Sequence, residues 1–113
     1  MITAKDTEIE MIEGDYGIVL PIEILAGKEM STSDKFSIKI YKGINTEPLI
    51  VKEYTNLKDN IIEFKLTIEE SRKLVVGRYK YDLDWYQDNN FLQNIIASGK
   101  FSVKEKAGVV NEN

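Results

Sequence analysis

The stretch Leu74-x-x-Gly77-x-Tyr79-x-Tyr81-Asp82-Leu83-x-Trp85 constrains the fold more than any other part of the chain. Apolar and aromatic residues fall on every second position, Tyr79, Tyr81, Leu83 and Trp85, with Lys80, Asp82 and Asp84 between them. Successive side chains of a strand point to opposite sides of its sheet, so a period of two means one buried face and one wet face.

The same alternation recurs elsewhere. Thr7 to Glu13 reads as a first strand with Ile9 and Met11 on one side and Glu8, Glu10 and Ile12 on the other, after a loose lead-in over Met1 to Asp6. Tyr16 to Leu25 is apolar for most of its length, and Pro21 inside it predicts an edge or a bulge, because proline has no N–H for a ladder. Phe36, Ile38 and Ile40 predict a core face opposite Ser37, Lys39 and Tyr41; Ala26 to Asp34 is a polar connection. Leu49 to Tyr54 has no consistent apolar face, as an edge strand would, and Ile62, Phe64 and Leu66 point to the core. Turns are expected over Gly43 to Pro48, Asn56 to Asn60 and Gln87 to Asn90. Phe91 to Ser98 and Lys100 to Val103 supply the last strand or strand pair, with Phe91 and Phe101 on the core face and Gly99 as a bulge or bend.

Thr67-Ile68-Glu69-Glu70 has the form of a capping box. It predicts a short helix through Leu74 or Val75, ended near Gly77. The expected architecture is all-β: about seven strands with turn signals every 8–12 residues, the mark of an immunoglobulin-like antiparallel sandwich, with the helix at an inter-sheet crossing. In that frame Leu-x-x-Gly-x-Tyr is the shape of a tyrosine corner, where Tyr79 bonds back to backbone near Leu74 to Val76 and Tyr81 takes the place of the second cysteine of an antibody domain. Gly77, Tyr79, Tyr81 and Trp85 are therefore structural residues. Residues 1–104 are expected to form one such domain and residues 105–113 a disordered tail.

Composition narrows the chemistry. The 113 residues contain no cysteine and no histidine, which removes disulfides, thiolates, the usual base near neutral pH and the commonest metal ligand. The net charge is −4 with lysines interleaved among acids, a mixed surface that disfavours a phosphate backbone. No apolar stretch approaches the ~20 residues that span a bilayer, and no basic-then-apolar leader is visible, so synthesis in the cytoplasm without a signal peptide is expected.

Asp82, Asp84, Asp88, Asn89 and Asn90 are the densest oxygen-ligand cluster. The spacing is not that of a calcium loop, and a solvated strand face with a polar hairpin tip is the simpler reading. Glu69-Glu70 opens a helix, where acids suit the dipole, and Glu8, Glu10 and Glu13 lie on a short strand; neither set suggests the opposed carboxylates of a glycosidase. No phosphate-binding glycine loop is present. The expectation is no catalysis, no cofactor, no metal, no nucleic acid and no membrane. Tyr41, Tyr54 and Tyr86 are expected to point outward and to make interface contacts, since tyrosine buries much area at little entropic cost.

Gly14-Asp15 before an apolar strand, the segment from Leu74 to Leu83, and Ser98-Gly99-Lys100-Phe101-Ser102-Val103 at the end together resemble a layout of phage structural proteins. The chain resembles the N-terminal domain of the baseplate upper proteins of tailed phages and related immunoglobulin-like virion domains, from about Glu8 to Lys104. The resemblance implies a non-enzymatic phage or prophage structural protein of baseplate, tail or neck. Its partners would be other phage structural proteins in a homo- or hetero-oligomer, and it would be a virion component. The alternative is a stand-alone carbohydrate-binding or adhesive module using exposed tyrosines.

Overall fold

The computed structural model describes residues 3–5, 7–24, 33–43 and 46–105. Among them run β1 (Thr3–Lys5), β2 (Glu8–Ile12), β3 (Leu20–Glu23), β4 (Asp34–Tyr41), β5 (Ile50–Thr55), β6 (Ile61–Phe64), α1 (Ile68–Arg72), β7 (Gly77–Gln87) and β8 (Asn90–Lys104). The protein is all-β in two parts: a mixed six-stranded sheet in the order β1-β2-β8-β7-β4-β5, and a two-stranded sheet of β3 and β6.

The alternating segments form the centre. β4 and β7 pair antiparallel from Asp34↔Gln87 to Tyr41↔Lys80. This register puts Phe36, Ile38 and Ile40 beside Tyr81, Leu83 and Trp85 on one buried face. Phe36 stacks on Trp85 at 5.4 Å between centroids. The small sheet covers that face with Ile62 and Phe64. Phe64 meets Phe101 edge-on at 6.4 Å, and Phe101 meets Tyr81 at 6.3 Å, so one aromatic chain ties the two sheets together. Each large side chain buried this way is worth about 1.5–3 kcal/mol.

Local chemistry explains the connections. Asp88 and Asn89 both have positive φ, 51° and 64°, as a two-residue type I′ hairpin requires. Asp59 and Asn60 repeat the device at 54° and 58° before β6. The capping box is complete: the Glu70 amide donates to the Thr67 hydroxyl and the Thr67 amide to Glu70 Oε1. The helix lies where the chain leaves the small sheet for the large one.

Several expectations need correction. The sheet is not purely antiparallel: β2 runs parallel to β8, Ile9 beside Phe101 and Met11 beside Val103, because this register sends both apolar sets to the core. The lead-in is not loose, since Thr3–Lys5 pairs with β2. The apolar run from Tyr16 is strand only over Leu20–Glu23; Gly14 and Gly17 hold φ of +91° and +73°, which break the extended path and leave Tyr16, Ile18 and Val19 exposed. The helix stops at Arg72, capped by Lys73, so Gly77 opens β7 instead of ending α1. Ser37 is buried, although its strand face was expected to be wet. The connection at 25–32 and the tail at 106–113 lie outside the described residues.

The largest departure is in β8. It is one strand of 15 residues, and its pairing with β7 shifts three times: between Tyr81 and Leu83, between Leu83 and Asp84, and between Trp85 and Tyr86. At each shift β8 carries the extra residue, so a period of two cannot hold along it. Phe91, expected in the core, is 60% exposed.

Candidate interaction surface

The structure does not bring Tyr41, Tyr54 and Tyr86 together. Tyr54 lies on the inner side of β5, packed against the core, with its hydroxyl buried and without a hydrogen-bond partner among the described residues. Burial, and then the charge of Glu70, raises its pKa. The expectation that it points outward fails because β5 turns Ile50, Lys52 and Tyr54 inward. Lys52 survives there by pairing with Glu70 at 2.8 Å. Tyr41 and Tyr86 are half-buried on the opposite face, at the two ends of the β4–β7 ladder, beside Lys80 and Lys35.

Tyr86 nevertheless belongs to a cluster. Its ring meets Phe91 edge-on at 5.9 Å, and the Lys35 ammonium sits 5.5 Å above it. Phe91 and its neighbour Leu92 are exposed at the tip of the β7–β8 hairpin. β2 covers the outer edge of β8 only from Phe101 to Lys104, so among the described residues the edge from Asn90 to Lys100 has no strand partner. Sequence reasoning missed Phe91, yet a signal existed. A two-residue loop at Asp88-Asn89 sets Gln87 opposite Asn90, hence Tyr86 opposite Phe91, on the wet face.

A second exposed apolar pair, Val75 and Val76, stands at the other end of β7. The Val76 amide donates to Glu13 Oε2 at 3.1 Å, and the Gly17 amide to the Leu66 carbonyl, which gathers the Glu13–Gly17 turn at this base.

The structural aromatics are anchored at their polar ends. The Tyr79 hydroxyl donates to the Val75 carbonyl at 2.8 Å, the Tyr81 hydroxyl to the Thr7 carbonyl, and Trp85 Nε1 to Asp34 Oδ1 at 3.0 Å. Burial pushes the Tyr81 hydroxyl up to about 12 and raises that of Tyr79. Gly77 leaves room for the Lys42 ammonium, which lies 4.5 Å over the Tyr79 ring.

The acids of β7 serve the bulges. Asp82 Oδ1 accepts the Ser98 amide at 2.8 Å, and Asp84 Oδ1 accepts the Asn94 side-chain amide at 2.7 Å. Among the described residues no three acidic, His or Cys side chains gather as a metal would need, and no helix is long and apolar enough to cross a membrane.

Fold and surface together define an all-β domain of two facing sheets with apolar side chains exposed at two ends. Comparison with protein-family models, with curated proteins and with solved structures finds no match to the chain.

Proposed function

We propose that this is an immunoglobulin-like sandwich domain acting as a non-enzymatic structural component of a phage or prophage particle, in the baseplate, tail or neck. It works through protein–protein assembly, is made in the bacterial cytoplasm and ends in the virion. The observation that carries the reading is the hairpin tip. Phe91 and Leu92 are exposed beside a stretch of strand edge that is unpaired among the described residues, and exposed apolar groups on such an edge suit burial against a partner or strand addition by one. The Tyr79-to-Val75 bond and the helix at the inter-sheet crossing support the immunoglobulin-like form.

The sugar-binding alternative draws less support from Tyr54 and Tyr86. Stacking a sugar needs an open aromatic face, whereas Tyr54 is packed inward and Tyr86 is already engaged by Phe91 and Lys35. Light scattering on the purified chain, alone and mixed with the products of adjacent genes, tests the reading. A defined complex is expected. A strict monomer that binds none of them and gains stability from a glycan overturns it.

A further inference from the structure

We propose that copies of this chain associate head to tail, the base of one against the hairpin tip of the next. The inference rests on the assembly reading and names the partner for two of its surfaces.

The two apolar pairs flank β7. Val75, 57% exposed, and Val76, 42% exposed, precede its first residue; Phe91 and Leu92 follow its last across the hairpin. At about 3.3 Å per residue the eleven residues of β7 separate these ends by roughly 35 Å, so one molecule cannot bring its own ends together.

Charge on the outer face of β7 is sorted by sign along the strand. Arg78 and Lys80 stand at the base; Asp82 and Asp84 follow, with Asp88 in the hairpin. Internal pairs remove most other charges nearby: Lys100 with Glu8, Lys104 with Glu10, and Lys35 with Glu53. Glu13 at the base is turned to the Val76 amide. Without an ion-pair partner among the described residues, the base holds the cations Arg72, Lys73, Arg78 and Lys80 around Val75 and Val76 against the acids Glu13 and Glu105, so its balance is positive. Toward the tip, Asp84 accepts only from the Asn94 side-chain amide and has no ion-pair partner among the described residues, and Asp88 is exposed beside Phe91 and Leu92.

A two-fold axis at either end would set base on base or tip on tip, apolar to apolar but like charge to like, whereas a two-fold axis beside the middle of β7 would set base on tip twice, in a side-by-side antiparallel pair that stops at two copies. Translating one copy along the strand sets valines on Phe91 and Leu92 and cations on aspartates. The translated arrangement satisfies both terms with the two ends alone and is heterologous, closing into a ring or continuing as a filament according to the rotation per step, and it is told from the antiparallel pair by growth beyond two copies.

Sedimentation equilibrium of the full chain tests this, with two variants: Phe91→Ser at the tip, and Val75→Ser with Val76→Ser at the base. These positions are exposed, and unchanged Trp85 fluorescence checks that each variant folds. Wild type should rise in mass with concentration, without a dimer plateau, and less so in ~0.5 M salt, where charges are screened beyond a few ångströms. At a concentration where wild type is mostly associated, each variant alone should be monomeric. Their mixture should form a 1:1 complex, because each retains one intact end. A wild type that stays monomeric, a closed dimer, or a mixture of variants that stays monomeric overturns the proposal. A chain that binds a neighbouring gene product but never itself sinks the head-to-tail contact alone; one that binds neither sinks the assembly reading as well.

Discussion

Three aromatic side chains on β7 carry polar ends into the core, and each finds an acceptor on another segment: Val75, Thr7 and Asp34. Removing the hydroxyl in Tyr79→Phe leaves the Val75 carbonyl without its donor and should cost about 1–2 kcal/mol in urea unfolding. A change within error of zero would mean that water replaces the bond at no cost. The tyrosines also predict alkaline behaviour. Burial raises Tyr54, Tyr79 and Tyr81 above their ordinary 10, so the fold holds them neutral. Their contribution to stability is full below pH 10 and is lost as pH rises through the folded values, which for Tyr81 is about 12. Tyrosinate absorbance should therefore show Tyr54, Tyr79 and Tyr81 ionising late, with cooperative unfolding as they do. Six equivalent transitions at ordinary pH would contradict the burial. At this scale the sequence was informative: alternation alone gave the buried face of β7, and the Leu-x-x-Gly-x-Tyr spacing gave the segment that Tyr79 reaches. Gly99 was legible only as an irregularity. Its reason is the Tyr81 ring, whose Cε1 would stand 2.5 Å from a Cβ there. The partner of a glycine across a sheet is not written beside it.

Among elements, α1 and β8 mark the two extremes of legibility. The helix start could be read because a capping box is local, its first and fourth residues, Thr67 and Glu70, satisfying each other. Glu70 does more than cap, since Lys52 reaches it from β5. Burial would raise its pKa, but the hydrogen bonds from Lys52 and Thr67 and the attraction of the ammonium outweigh that and hold it below its ordinary 4.5. Its stabilisation is thus full above about pH 4.5 and lost as pH falls through the lower folded value. Glu70→Gln should flatten the acid limb of the stability–pH curve; an unchanged limb would place the acid sensitivity elsewhere. β8 could be read at Gly99 and Phe101 but not between Phe91 and Ser98, because three extra residues against β7 break the period of two. Asp82 supports one bulge by accepting the Ser98 amide, so Asp82→Ala should cost about 1 kcal/mol and speed hydrogen exchange at Ser98 with little change at Phe101. Uniform acceleration along β8 would show that the carboxylate does not act locally.

For the whole molecule, the parallel β2–β8 pair and the lid formed by β3 and β6 were beyond a reading of periodicity, which reports faces but not neighbours. Their energetic consequence is that one buried cluster spans both sheets. Met11 on β2 and Phe64 on β6 belong to it, and the Phe64–Phe101–Tyr81 contacts cross from one sheet to the other. A two-stranded sheet is marginal alone in water, so β3 and β6 should have no stability apart from the large sheet. Unfolding should then be a single transition, with Trp85 fluorescence and far-ultraviolet circular dichroism coinciding along the denaturant axis. Met11→Ala should lower the midpoint by an amount equivalent to about 2–5 kcal/mol and Phe64→Ala by about 3–5 kcal/mol. Although these residues lie in different sheets, neither change should split the transition or alter its slope. A Phe64→Ala variant that loses dichroism in a separate early step, while Trp85 stays buried, would show that the small sheet opens on its own and that the shared core does not bind the two layers.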